Sequence, residues 1–278
     1  YGLILNGFFM SLAKVYSRAR LGLDSPLVTV EVHISNGLPA FSIVGLPETS
    51  VKEAKDRVRS ALLNCGYEFP AKRITVNLAP ADLPKEGGRF DLPIAVGILV
   101  ASAQLPDHEL DNYEFVGELA LSGGLRPIIG EIPVALACRD SGRKLILPSE
   151  NGEKARWVQH SELIPIDHLQ QLFPHFARQN SLPFLDTELT AIPEISCHLD
   201  MAEVVGQPMA KRALEIAASG AHNLLFVGPP GTGKTMLASR LPGILPTMTE
   251  QEAIESAAVQ SISQHTIDEK TWLVRPFR

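Results

Sequence analysis

Cysteine is scarce in this chain, and its three cysteines form no pattern. Cys65, Cys138 and Cys197 lie far apart, and no two of them have C-x-x-C spacing. Disulfide frameworks and zinc knuckles need closely and regularly spaced cysteines, so the sequence argues against both. A reducing compartment, the cytoplasm, fits this usage best.

Long apolar runs are missing as well. The longest, residues 92–105, is shorter than the roughly 20 residues that a membrane-spanning helix needs. We therefore predict a buried helix there and no membrane association. Residues 1–9 are apolar but lack the basic segment and cleavage site of a signal peptide. We expect a native start at Met10, with residues 1–9 a non-native extension read through from upstream.

Neither sign of charge dominates, since 25 Lys and Arg face 31 Asp and Glu, for a net charge of −6. A nucleic-acid-binding surface over the whole molecule is not indicated, although a local basic patch would escape this count. Low-complexity segments are absent and 45% of the residues are hydrophobic. The composition predicts a folded soluble protein and excludes a disordered one.

The length and pattern of the chain predict two domains. At roughly 100 to 200 residues per domain, 278 residues are enough for two. Periodicity weakens over residues 179–195, which include Pro183 and Pro193. We place a linker there, between a first domain at residues 10–178 and a second at residues 196–278.

Strand and helix patterns alternate through the first domain, which predicts an α/β or α+β fold. A strand at 28–34 and another at 41–44, joined by a turn, are typical of a hairpin. Helices are predicted at 50–67, from Asp91 onward and at 131–139, and further strands at 73–79, 115–121 and 144–148.

The second domain contains the most specific motif. Its match to G-x-x-x-x-G-K-[ST] consists of Gly228, Pro229, Pro230, Gly231, Thr232, Gly233, Lys234 and Thr235. An apolar strand at 223–227 precedes it and a helix at 234–241 follows, as a P-loop requires; a further helix is predicted at 209–219. The sequence therefore predicts a site for ATP or GTP.

Each position of this motif has a chemical role. Glycines allow a backbone path on which the N–H groups of residues 231–235 surround phosphate oxygens. Lys234 is expected to reach the β and γ phosphates, and the Thr235 hydroxyl to bind Mg²⁺. The cofactors predicted are ATP and Mg²⁺.

A turn upstream of the P-loop indicates to which class of P-loop proteins the second domain belongs. Val205, Gly206 and Gln207 begin a helix about twenty residues before the P-loop, and this resembles the place where AAA+ ATPases bind the adenine ring. Residues 251–270 contain no apolar strand ending in paired acids, which a Walker B motif would need. We expect the chain to stop inside its ATPase domain, and to bind ATP more readily than it hydrolyses it.

Several longer strings carry a family resemblance. They are F-S-I-V-G-L-P at 41–47, V-N-L-A-P-A-D-L-P-K-E-G-G-R-F-D-L-P-I-A at 76–95 and G-E-L-A-L-S-G at 117–123. Together with the P-loop they resemble the magnesium-chelatase-related ComM/YifB family of bacterial AAA+ proteins, from Met10 to Arg278. The resemblance implies a first domain with the Lon protease-like, ribosomal S5 domain 2-like fold, followed by a chelatase-type AAA+ module.

Lon-type proteases use a serine activated by a lysine. The resemblance puts Arg89 in the place of the serine and Ile132 near the place of the lysine, so both catalytic groups are missing. Two interpretations of Lys85, Glu86, Arg89 and Asp91 stay open. They form either a solvated loop with Asp91 as a helix N-cap, or a contact for nucleic acid or a partner.

The remaining polar residues form no recognisable site. Serine and histidine side chains without the spacing of a triad or a metal site are Ser122, Ser141, His33, His168, His198 and His222. We interpret them as structural.

By resemblance, the leading hypothesis is a ring-forming, hexameric, ATP-dependent motor that acts on branched DNA during recombination of incoming strands. An ATP-dependent protease, a metal-insertion motor like magnesium chelatase, and a fragment that binds nucleotide poorly are the alternatives.

Overall fold

A computed structural model of the chain describes residues 11–187, 199–262 and Arg275. They belong to two compact units, with the boundary between residues 189 and 190. The proposed extension at residues 1–9 lies outside the described residues, and so do residues 188–195 of the predicted linker.

The first unit is built on a hairpin that the sequence patterns did not reveal. Strand β2 (Leu27–Ser35) alternates buried and half-buried residues, as its apolar pattern predicts. Its antiparallel neighbour is β1 (Ser11–Arg18), in a register that runs from Arg18 opposite Leu27 to Ser11 opposite Ile34.

Seven strands form one mixed sheet in the order β3-β4-β2-β1-β5-β8-β9. The five strands beyond the hairpin are β3 (Ala40–Val44), β4 (Arg73–Ala79), β5 (Tyr113–Phe115), β8 (Lys144–Pro148) and β9 (Leu163–Ile166). Two short strands, β6 (Glu118–Leu119) and β7 (Leu125–Arg126), form a separate antiparallel pair. The predictions at 73–79 and 144–148 are confirmed.

The predicted hairpin between residues 28–34 and 41–44 is wrong. Strand β4 lies between β2 and β3, antiparallel to β2 and parallel to β3, with Ile43 opposite Val76. The turn at 36–39 permits a chain reversal but does not choose a partner. Strand β4 offers β2 a full ladder and three buried side chains, Ile74, Val76 and Leu78, so it takes that place.

The helices of the described residues complete a mixed α/β protein, as predicted. In the first unit they are α1 (Thr49–Lys52), α2 (Ala54–Asn64), α3 (Asp91–Ala101), α4 (Glu131–Asp140), α5 (Ser149–Ala155) and α6 (Leu172–Phe176). In the second they are α7 (Pro208–Gly220), α8 (Lys234–Ala238) and α9 (Glu250–Ile262).

Helix α3 forms the centre of the core. It packs against β1 and β2 on one side and α2 on another, and all its residues except Val100 are buried. A helix that is apolar all round is a buried helix, so the prediction for residues 92–105 is confirmed as far as Ala101, where α3 ends. Within the described part of the chain, no helix is long and apolar enough to cross a bilayer.

A buried ion-pair cluster joins β1 to β5. The carboxylate of Glu114 is fully buried and accepts hydrogen bonds from Arg18 Nε and Nη2, both at 2.6 Å. Arg143 Nη1 lies 3.3 Å from the same carboxylate, and Arg18 also donates to the Ala137 carbonyl of α4. Because each charge has partners, the cluster fixes two strands and a helix without leaving a carboxylate unpaired.

Candidate functional site

The helices on either side of the predicted P-loop share one small core. Leu214 of α7 and Leu237 of α8 are both buried in it, together with Met201 and Val204 from the turn before α7. Phe226, two residues before the loop, packs against the same cluster. Both ends of the loop are therefore anchored to one structure.

An arginine joins the two sequence motifs of the second unit. Arg240 follows α8, and its Nη2 lies 2.7 Å from Glu203 Oε2. Its Nε also donates to the Asp200 carbonyl at 3.0 Å. The turn that leads into residues 205–207 is thus held to the segment that follows the P-loop helix.

The path of the loop depends on glycine. Gly231 and Gly233 have φ values of 82° and 81°, in the left-handed region that side chains with a Cβ rarely adopt. Gly233 precedes the first residue of α8, and its carbonyl accepts the N–H of Leu237 at 2.9 Å. Turns of this kind can direct successive N–H groups toward a single anion.

The lysine of the motif lies against its own loop. Lys234 Nζ donates to the carbonyls of Gly228 at 2.8 Å and Pro229 at 2.7 Å. The Thr232 hydroxyl donates to the same Pro229 carbonyl at 3.0 Å, while Thr235 is exposed at the start of α8. The Lys234 ammonium is the kind of donor that a nucleotide phosphate requires, and the exposed Thr235 hydroxyl is an oxygen ligand of the kind that Mg²⁺ requires.

The upstream turn is exposed. Val205 is 94% exposed, and Gly206 and Gln207 both have positive φ, at 74° and 57°. This backbone leads directly into α7, which begins at Pro208. The apolar side chain of Val205 is therefore available to a flat apolar group such as a nucleobase.

The predicted strand at residues 223–227 is wrong. These residues have no strand pairing, and Leu225 and Val227 are 84% and 88% exposed. A strand needs a neighbour to satisfy its N–H and C=O groups, and the described residues of the second unit contain no other strand. The apolar pattern is present, but the described residues of the second unit offer it no partner strand.

The helix predicted over residues 234–241 is shorter than expected, because α8 ends at Ala238. Pro242 has no N–H and would clash with the carbonyl of residue 238 in a continuing helix. A short 3₁₀ turn, Leu241–Ile244, follows. Of residues 251–270, where the sequence has no Walker B pattern, those up to Ile262 are helical, and residues 263–270 lie outside the described part.

The charged segment at 85–91 is not a solvated loop. Lys85 and Asp91 are fully buried and Arg89 is 5% exposed, so that interpretation is wrong. Of its four charged residues, only Glu86 remains partly exposed. The Lys85 ammonium donates to the Pro80 carbonyl, and burial lowers its pKa.

Asp91 is not an N-cap either, because it is the first residue of α3 and its side chain makes no capping hydrogen bond. Its carboxylate instead accepts from Arg57 Nε at 2.6 Å, from Arg57 Nη2 at 3.0 Å and from the Leu119 N–H at 3.2 Å. Burial raises the pKa of Asp91 to about 6, against the opposing effect of these hydrogen bonds. The pair joins α2 to α3.

The two segments that correspond by resemblance to a protease dyad lie side by side. Arg89 Nη2 donates to the Ile129 carbonyl at 2.6 Å, three residues before Ile132, which is fully buried. Neither position carries a hydroxyl or an amine, so these two positions cannot supply a serine–lysine dyad.

Two of the other polar residues, His168 and Ser141, make structural contacts. His168 caps a short turn and its ring contacts the Ser122 carbonyl, and the Ser141 hydroxyl contacts Arg18. No cluster of metal-binding side chains occurs among the residues that the structure describes. His198 and Cys197 lie outside them.

Sequence reasoning missed the partners of the charged residues Glu86 and Asp91. Arg57 pairs with Asp91 across 34 positions, and Arg20 pairs with Glu86 across 66. The polar face of α2 was visible in the pattern, but a single sequence gives no signal for a partner so far away.

Two family models match parts of this chain, and one of them includes the candidate site. A family model described as subunit ChlI of Mg-chelatase matches residues 30–151. A second, described as magnesium chelatase, subunit ChlI, matches residues 200–278 and so includes the candidate loop.

Three relatives extend the comparison. The chain is 56% identical to competence protein ComM of Haemophilus influenzae, and 52% identical to protein YifB of Escherichia coli. Each match covers 97% of this chain and 53% of the relative, so the chain spans about half the length of these relatives. A match to Lon protease 2 of Bacillus subtilis is 28% identical over 128 residues, 45% of this chain and 22% of that protein.

Proposed function

The chain belongs to the magnesium chelatase subunit ChlI-related family that includes ComM and YifB, and from this we propose that it is an ATP-binding AAA+ protein. The observation that carries the proposal is the loop of residues 228–235, with left-handed glycines and with Lys234 Nζ at the Gly228 and Pro229 carbonyls.

Each residue of the loop has a proposed role in holding MgATP. The N–H groups of residues 231–235 bind phosphate oxygens, and Lys234 exchanges its loop carbonyls for the β and γ phosphates. The Thr235 hydroxyl binds Mg²⁺, which neutralises phosphate charge. Pro229 and Pro230 stiffen the entry to the loop, and Val205, Gly206 and Gln207 contact the adenine.

We further propose that residues 10–178 form a Lon protease-like domain of the S5 domain 2 type, and residues 196–278 the first part of an AAA+ domain, joined by a linker at 179–195. The match to Lon protease 2 supports the first assignment. The loop geometry and the second chelatase match support the other.

At the level of the whole protein, we propose a cytoplasmic hexameric ring that moves branched DNA during recombination. Support comes from the 56% identity to a protein named for competence. A Lon-like protease is disfavoured, because Arg89 and Ile132 stand where its dyad would be. Metal insertion is the second candidate, favoured by the family descriptions alone.

The phosphate assignment is tested by calorimetric titration of MgATP into the protein. Lys234→Ala is expected to weaken binding at least tenfold, because a charge-assisted contact to phosphate is lost. The matched control Lys52→Ala, an exposed lysine of α1, is expected to bind normally. Tight binding that survives Lys234→Ala contradicts the proposal.

Activity is tested on the complete gene product. Forked or Holliday-junction DNA is expected to stimulate ATP hydrolysis, while casein and a porphyrin with Mg²⁺ are not. Stimulation by the porphyrin alone would favour metal insertion, and casein cleavage would revive the protease.

A further inference from the structure

The first unit contains a cavity of about 180 Å³ that the nucleotide site does not use. It lies where the segment at residues 86–89 meets β6 and the loop before α4. Its lining includes Arg20, Glu86, Gly87, Gly88, Arg89 and Glu118. The volume is well above what one water molecule needs.

Arg89 is the unusual member of this lining. Arg89 is only 5% exposed. Its Nη2 donates a hydrogen bond to the Ile129 carbonyl at 2.6 Å. Nη1 is also buried, yet within the described residues it has no hydrogen-bond partner. Burial, with Arg20 nearby, lowers the pKa of Arg89 to about 10. An unpaired buried guanidinium is costly unless an anion compensates it.

The acids around the cavity do not provide that anion. Glu86 pairs with Arg20 at 3.0 Å, Glu118 with Arg126 at 3.4 Å, and Glu131 with Lys154 at 3.9 Å. Arg89 forms no salt bridge among the described ion pairs. Arg89 therefore forms no ion pair with these carboxylates, although Glu86 and Glu131 act on its charge from a distance.

The backbone adds further donors. Gly88 begins a 3₁₀ turn, Gly88–Phe90, that continues into α3, so the first N–H groups of this combined helix have no intrahelical acceptor. A Cβ at Gly88 would come within 2.4 Å of Glu118 Oε2, so the Glu118 carboxylate lies close to the Gly88 backbone.

We propose that this cavity binds a small phosphate group, free or as a phosphomonoester, with Arg89 Nη1 as its central donor and Arg20 at its entrance. A tetrahedral oxyanion can accept from the guanidinium and from the helix N–H groups together. The site lies in the first unit and does not depend on the P-loop. Failure of one assignment would therefore leave the other intact.

The experiment must separate this site from the P-loop, which also binds phosphate. Inorganic phosphate is titrated into the Lys234→Ala protein, and backbone amide NMR shifts of Gly87 and Gly88 are followed. Saturable shifts at millimolar phosphate are expected. Acetate is expected to bind more weakly, and equal binding of acetate would overturn the assignment to phosphate.

Arg89→Met keeps the apolar stem and removes the charge, and is expected to weaken phosphate binding at least tenfold in the same background. Arg178→Met, an exposed arginine of the same unit, is the matched control and should bind normally. If Arg89→Met does not fold, Arg20→Gln decides, with an expected loss of severalfold. An unchanged affinity in the folded variants, or no shifts at Gly87 and Gly88, overturns the proposal.

Discussion

At the scale of single residues, Asp91 is a fully buried carboxylate with an arginine partner that is itself 22% exposed. Its pKa is raised from 3.8 to about 6, chiefly by burial. The folded protein therefore binds a proton at Asp91 more tightly than the unfolded chain does. Between those two pH values, folding takes up a proton at this site.

Proton uptake at Asp91 predicts the direction in which the free energy of unfolding changes with pH. Because the folded state binds the extra proton, the contribution of Asp91 to the free energy of unfolding decreases as pH rises from about 4 to about 6. The decrease is about 3 kcal/mol over the window. Asp91→Asn removes it, so the difference between wild type and variant should change by that amount in urea titrations at several pH values.

Asp140→Asn is the matched control, since that carboxylate is 65% exposed and, among the ion pairs of the described residues, contacts only its neighbour Arg139. Its difference from wild type should be nearly independent of pH in the same window. A pH-independent difference for Asp91→Asn would show that Arg57 keeps the pKa of Asp91 near its ordinary value.

At the scale of elements, the contact of α3 with β2 depends on Gly97. A Cβ there would lie 2.4 Å from Val32 Cγ2. Gly→Ala normally stabilises a helix by about 1 kcal/mol. Here we expect Gly97→Ala to destabilise the protein by about 1–3 kcal/mol, because it overpacks the core.

A double-mutant cycle measures this contact by urea unfolding. Val32→Ala removes the clashing methyl group, so Gly97→Ala should cost less in that background. Gly152→Ala in α5, where a Cβ would meet only ordinary contacts from 3.4 Å, serves as the control and should be neutral or stabilising. Additive effects of Gly97→Ala and Val32→Ala would contradict the predicted overpacking.

Elements whose own pattern determines them could be predicted from sequence. The apolar run of α3 and the alternation of β2 depend on one buried face each, and both are present as expected. The partner of β3 could not be predicted, since pairing with β4 depends on residues far along the chain. The pattern of strand β1 is unremarkable, so the sequence does not predict this strand.

The same distinction, between features set by local sequence and features set by distant residues, applies to the candidate sites. The conformation of residues 228–235 is local, because Gly231 and Gly233 determine the turn, so a motif could identify it. The cavity at Arg89 depends on Ile129 and Arg20, which lie far away in sequence. No spacing of residues in the chain could indicate it.

At the scale of the whole molecule, the main core draws all its residues from the first unit, from Ala13 to Phe176. We therefore expect residues 10–187 to fold alone, with a single cooperative unfolding transition and the same midpoint as that unit in the whole chain. Circular dichroism during urea unfolding measures this.

A shorter piece that ends at residue 141 provides the control. It lacks β8 and β9, which leaves β5 unpaired on one side and removes Ile146, Ile164 and Ile166 from the core. It should not unfold cooperatively. A non-cooperative transition in the longer piece would show that the first unit needs residues beyond 187.

The position of β4 between β2 and β3 also affects when the strands of this sheet can pair during synthesis on the ribosome. Strands β2 and β3 are synthesised first, but neither has its β4 partner until α1 and α2 have been made as well. During that interval β2 presents an unpaired edge and a face of Val28, Val30 and Val32. Unpaired edges and exposed apolar faces are what chaperones bind and what aggregates. The order of synthesis thus leaves the edge of β2 unpaired until β4 emerges, and its apolar face uncovered until α3 follows.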